Sequence, residues 1–193
     1  MKLRKLVEFV PGLNPSRINS KDLEKYSFYD KESFEKDLLF EDMEDYRERN
    51  FDEEALLEGE IIFYSLSNQM AFISESNAGK IPSINFSRVK IISDKIDKSY
   101  LLYLFNENQI IQRQIDRERQ GILLLKLPLR LLYDIDIPMI PMKDQKKIGK
   151  IYIDSIKLKS KMKRYSELLE SATMHLLSEK VREEYDKRRY TKK

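Results

Sequence analysis

The residues in this chain whose types suit chemistry are those that read nucleic acid. Arg113, Gln114, Arg117, Arg119 and Gln120 cluster at the end of an amphipathic stretch and in the turn after it. Asn77 and Lys80 lie in a glycine-containing polar loop, and Asn14, Ser16 and Arg17 follow a Pro11-Gly12 turn. Arginine pairs bidentately with guanine O6 and N7, asparagine and glutamine pair with adenine N6 and N7, and lysine mainly neutralises phosphate. Any surface loop can carry one such residue without reading anything. The candidate DNA-binding set is therefore Asn14, Arg17, Asn77, Lys80, Arg113, Arg117, Arg119 and Gln120, taken together.

Little else in the chain supports catalysis. There is one histidine, His175, and no cysteine, so neither a histidine-based triad nor a histidine or thiolate metal cluster can be built within one chain. The five glycines form no phosphate-cradling loop. Asn14-Pro15-Ser16-Arg17 begins like an amino-methyltransferase motif, but it lacks the second proline and the aromatic residue that would stack on a flipped base. Glu41, Asp42, Glu44 and Asp45 could hold Mg²⁺ in a nuclease, although such clusters usually form a solvated helix face. No cofactor or metal is expected.

These residues need elements to position them. Arg4 to Val10 reads as a short strand ending at Pro11-Gly12. Residues 20 to 58 are acidic and fit short helices and loops, with Ser20 and Ser33 as possible caps. Glu60 to Leu66 and Gln69 to Ser74 read as a hairpin about Ser67-Asn68, and Ile84 to Ile92 as another strand. Asp97 or Ser99 can cap a helix burying Leu101, Leu104, Phe105, Ile111 and Ile115 and ending near Gly121. Ile122 to Leu127 and Asp134 to Ile137 read as further short strands. Strands and helices mixed without βαβ alternation predict an α+β head over residues 1–141.

After Pro138 and Pro141, residues 142–193 read as a long helix, clearest from Asp144 to Glu184. A seven-residue period places Ile148, Ser155, Met162, Leu169 and Leu176 at position a, and Ile151, Leu158, Tyr165, Ala172 and Glu179 at position d. Such a one-sided seam is not stable alone in water and calls for a partner helix. A second copy fits best, because nothing upstream matches it in length. The expected dimer interface is Ile148, Ile151, Leu158, Met162, Tyr165, Leu169, Ala172 and Leu176. Basic Lys147, Lys159, Lys161 and Lys180 at positions e and g disfavour a parallel in-register pair, though Tyr152 and Asp154 share those positions, so antiparallel pairing is expected. His175 falls at position g, on a solvated flank.

Composition bounds the class. The chain has 193 residues, 36% of them charged, and a net charge of +3 that hides an asymmetry. Residues 22–60 hold sixteen acidic against five basic side chains, and residues 143–193 sixteen basic against eight acidic. A basic rod and an acidic tract point to a polyanion on one surface and a protein on another, the acidic tract being equally compatible with a solvated face. No apolar run is long enough for a membrane span or a secretory signal, and the absence of cysteine suits a reducing cytoplasm, the expected location.

A family resemblance joins these parts. Tyr100-Leu-Leu-Tyr-Leu-Phe105, Arg119-Gln-Gly121, Leu129 to Leu132, and Ile135-Asp-Ile-Pro-Met-Ile-Pro-Met-Lys-Asp-Gln-Lys-Lys-Ile148 leading into the long helix resemble the specificity subunit of type I restriction-modification systems. Leu57-Glu-Gly-Glu-Ile-Ile-Phe63 is similar to the strand-opening stretch of the same target-recognition domains. The sharpest part is the doubled Ile-Pro before Asp-Gln-Lys-Lys-Ile. The resemblance implies a non-catalytic protein whose head reads one half of a split double-stranded DNA site and whose helix is spacer and docking rod. Separate methyltransferase subunits, and in some hosts restriction subunits, carry the chemistry.

Full specificity subunits have two such domains and two such helices, whereas this chain has one of each. Two copies paired antiparallel about a twofold axis would match a palindromic, bipartite site. Two other readings compete. One is a decoy that occupies the methyltransferase subunit without directing it to DNA, and the other is an unrelated coiled-coil DNA-binding regulator.

Overall fold

A computed structural model describes residues 1–14, 27–40, 55–119 and 126–190. The chain divides into two compact units, Met1–Ser155 and Ile156–Lys193. The first is an α+β unit built on a four-stranded antiparallel sheet with strand order β1-β6-β3-β4, where β1 is Val7–Pro11, β3 Ile61–Tyr64, β4 Gln69–Phe72 and β6 Phe86–Ile91. Two short strands, β2 (Phe28–Tyr29) and β5 (Ile81–Pro82), pair in parallel beside it.

The sheet is buried on both faces, which explains why β3 reads as an unbroken apolar run. Alternate residues of β3 face opposite layers. Phe63 packs edge-on against Phe9 and Phe105, with ring centroids 5.3 and 6.1 Å apart. Tyr64 packs against Phe34 at 5.1 Å and stacks on its cross-strand partner Phe86 at 4.6 Å. The first face is covered by α2 (Lys98–Asn106), which packs on β4. The second is covered by α1 (Lys31–Leu38), whose Phe34 joins Tyr29, Leu56, Ile62, Ala71 and Ile73 in one apolar cluster. Each fully buried side chain of this size contributes about 1.5 to 3 kcal/mol.

The β3–β4 hairpin forms where the alternation placed it. Its turn is closed by Asn68, whose positive φ of 57° is tolerated by asparagine and whose amide donates to the Tyr64 carbonyl at 2.8 Å. Asp97 caps α2 as expected, accepting from Ser99 N and Tyr100 N at 3.0 Å each.

Other expectations are corrected. The single helix from Asp97 toward Gly121 is broken after α2, and α3 (Gln109–Arg119) starts anew because Asn108 turns its side chain back to cap Ile110 N at 3.0 Å. The cap of α1 is Asp30 rather than Ser33, since the Asp30 carboxylate accepts from Ser33 N at 2.8 Å. Residues 3–5 form a 3₁₀ turn ahead of β1. Asp134 to Ile137 makes one antiparallel bridge, Asp136 to Lys2, after the short α4 (Leu129–Leu132). Ser20, Glu41 to Asp45 and most of the strand expected over 122–127 lie outside the described residues.

The long helix, α5, runs from Met142 to Tyr190, within the expected span of 142–193 and past both ends of its clearest part, Asp144 to Glu184. Its first turns, through Ser155, belong to the α+β unit.

Candidate nucleic-acid interface

Antiparallel pairing decides which loops meet. Pro11 at the end of β1 lies opposite Ser87 at the start of β6, so the loop leaving β1 reaches the turn entering β6. Leu13 N donates to the Pro82 carbonyl at 2.8 Å, and Gly12 permits that approach, because a Cβ there would sit 2.3 Å from the same oxygen. The β3–β4 turn arrives alongside, with Ser65 N and Oγ both donating to the Asn85 carbonyl at 3.0 and 2.7 Å. One end of the sheet thus gathers the loop to Asn14, residues 65–68 and residues 83–85.

Two cations are anchored there. Arg119, in the last turn of α3, donates to the Leu66 carbonyl at 3.4 Å, and Lys126 donates to the Ile84 carbonyl at 2.9 Å. Partial burial lowers the Lys126 pKa from the ordinary lysine value. Further back on α3, Arg113 and Arg117 are exposed one turn apart, while Ile111 and Ile115 are buried beneath them. Guanidinium groups in this arrangement match phosphates or guanine edges. Arg17 and Gln120 lie outside the described residues.

Asn77 and Lys80, also expected as DNA contacts, bond to α1 and to each other. Asn77 is 0% exposed, and its amide donates to the Ser33 carbonyl at 3.2 Å and to Asp37 Oδ1 at 2.9 Å. The Lys80 ammonium donates to Ser33 Oγ at 2.8 Å and Asn77 Oδ1 at 2.7 Å. Asp37 also accepts from the Tyr29 hydroxyl at 2.7 Å. Burial first, and Asp37 second, drive the Tyr29 pKa far above its usual value, so the phenol stays a donor. These groups bind loop 75–80 to α1. Gln114 is likewise committed, accepting from Asp136 N at 2.8 Å and donating to the Asp136 carbonyl at 3.0 Å.

The root of α5 holds the polar residues that residue type alone did not single out. Gln145 is 1% exposed and makes three bonds, accepting from Asp97 N at 3.0 Å and donating to the carbonyls of Lys95 at 3.0 Å and Ile140 at 2.9 Å. One helical turn on, Gly149 sits against the start of α2, where a Cβ would be 2.6 Å from Ser99 Cβ. The next turn presents Tyr152, whose hydroxyl accepts from Asn106 Nδ2 at 2.9 Å and whose pKa is pushed up to about 12, mainly by burial. The readable signal was a glutamine and a glycine at i and i+4 in an otherwise charged helix start.

No protein-family model matches this sequence, and no curated protein matches it. Among solved structures, this one is similar to the crystal structure of a type I restriction-modification system S subunit from M. genitalium, with a TM-score of 0.51 and 16% identity over 90% of this chain. The fold is that of a type I S subunit. This chain spans 42% of the S subunit it matches, less than half its length.

In this S-subunit fold the second unit, from Ile156, is helical through Tyr190. Leu158, Met162, Tyr165, Leu169 and Leu176 of the expected seam are 57 to 69% exposed in the single chain, and Ala172 is exposed with them. Of the two seam positions nearer the root, Ile148 is half-buried and Ile151 exposed. Met174, Leu177, Val181 and Tyr185 are also exposed. Their spacing of three, four and four residues makes a second apolar stripe that the heptad reading passed over. His175 is exposed, 3.5 Å from Glu179. Among the described residues no helix is long and apolar enough to cross a membrane, and no group of three or more His, Cys, Asp or Glu could hold a metal ion.

Proposed function

We propose that this chain is a non-catalytic DNA sequence-recognition subunit of a type I restriction-modification system, acting as a half-size specificity subunit. Residues 1–141 form the target-recognition domain. Residues 142–193 pair with the same helix of a second copy through the seam from Ile148 to Leu176, and the pair reads a bipartite palindromic site in double-stranded DNA. The remaining rod faces dock methyltransferase subunits and, where a host has them, restriction subunits. The observation that carries this reading is the S-subunit fold together with the gathering of Asn14, Arg119 and Lys126 at one end of the sheet.

The test is salt-dependent binding of the full chain to a mixed-sequence duplex, alone and mixed with a type I methyltransferase subunit. A reader making Z phosphate contacts gives a log–log slope of about −0.9Z. A decoy that occupies the methyltransferase without directing it to DNA gives no slope, and that reading is retained because of the acidic tract over residues 22–60. A tight, specific complex unaffected by the methyltransferase would favour the unrelated regulator instead. The cytoplasm is the compartment this role requires.

A further inference from the structure

We propose that the turn 83–85 between β5 and β6 reads an A·T pair, with Ile84 packing on a thymine methyl group and Asn85 hydrogen-bonding the adenine. This rests on the reading of the chain as a DNA-recognition subunit and assigns part of that role to residues the sequence did not single out. Ile84 is 52% exposed at the tip of the turn, so its side chain contributes little to the core beneath it. The turn itself is pinned on three sides. Ser83 bridges Leu13, the Ile84 carbonyl accepts from Lys126 at 2.9 Å, and the Asn85 carbonyl accepts both bonds from Ser65.

A tip held this way loses little freedom on binding. The Asn85 carboxamide makes no hydrogen bond among the described residues. In the major groove thymine offers a methyl group, and adenine offers an N7 acceptor beside an N6 donor, so an exposed aliphatic and an uncommitted carboxamide match the two halves of one pair. Lys126, anchored on the turn itself, supplies positive charge for a neighbouring phosphate.

The experiment is enrichment of bound sequences from a randomised 40-bp duplex pool by the full chain, alone and mixed with a type I methyltransferase subunit. The wild type should enrich an A·T pair at a fixed position of each half-site, and Asn85→Ala should relax that preference about five- to hundredfold. Deoxyuridine in place of that thymine should weaken wild-type binding about fourfold, the worth of one methyl group, and leave Ile84→Ala unaffected. Ile84→Val, which keeps the branched surface, should retain the preference. If the wild type enriches a motif and Ile84→Ala and Asn85→Ala enrich the same one equally, the turn is not a reader, and the inference falls while the recognition role stands. If the wild type enriches nothing under either condition, the recognition role falls and takes the inference with it.

Discussion

The two units of this chain use their side chains in opposite ways. In the α+β unit large apolar residues such as Phe34, Phe63, Phe86 and Phe105 are buried, and several polar residues that look available are spent internally. In the unit from Ile156 onward, apolar residues at helical spacing from Leu158 to Tyr185 remain exposed. Exposed apolar residues in such number are the pattern of an interaction surface. Among the described residues the first unit buries most of its large apolar side chains within the single chain, and the second buries few.

The largest effect should come from breaking the helix side of that contrast. Met162→Asp combined with Leu169→Asp places four carboxylates in a paired seam and removes four buried side chains, a loss of about 6 kcal/mol or more. Light scattering should then give a single-chain mass near 23.1 kDa, while circular dichroism shows the α+β unit still folded. A surviving dimer would place the seam elsewhere, with the stripe from Met174 to Tyr185 the next surface to substitute.

On the other side, Gln145→Leu leaves Asp97 N and the Lys95 and Ile140 carbonyls without their partner, at a cost of about 2 to 4 kcal/mol in a urea midpoint. Gly149→Ala should destabilise by about 1 to 3 kcal/mol through its clash with Ser99. An unchanged midpoint in both would mean that the helix root is not held by these contacts.

Asn77 and Arg119 sharpen the comparison within the first unit. Asn77→Ala should lower stability by about 2 kcal/mol without altering sequence preference, because its amide bonds only to the protein. Arg119→Ala should do the reverse, relaxing preference by about 1 to 3 kcal/mol at one base position with little change in stability. Methylation-site mapping beside thermal melts separates the two.

The smallest effect concerns the cap of α1. Partial burial alone would raise the Asp30 pKa, but bonds from Ser33 and the charge of Lys80 outweigh it, leaving the value below an ordinary aspartate. A depressed folded-state pKa stabilises above the unfolded value, and that contribution is lost as pH falls through the lower folded value. Below a pH of about 4 the melting temperature should fall slightly more in the wild type than in Asp30→Asn.

Periodicity made much of this architecture legible. The hairpin around Asn68, the Asp97 cap and the long helix after Pro141 follow from local patterns that tertiary packing did not override. The break at Asn108 was hidden because the buried positions on either side keep helical spacing, and only the side-chain cap reveals the new start. Candidate readers were harder, since Asn77 and Gln114 have the same composition signature whether they face a base or a buried carbonyl. Lys126 and Ile84 were not singled out for the converse reason, because a tertiary hydrogen bond, not sequence proximity, brings them together. The second apolar stripe was overlooked because the heptad frame assigns Met174, Leu177, Val181 and Tyr185 to outer positions.

Whether two copies read DNA together, as proposed, is tested most directly by the sequence enriched from a randomised duplex pool. The account predicts two inverted copies of one short motif at a fixed spacing, recovered by the full chain alone or with a type I methyltransferase subunit. A single undivided motif, or no enrichment under either condition, would contradict it.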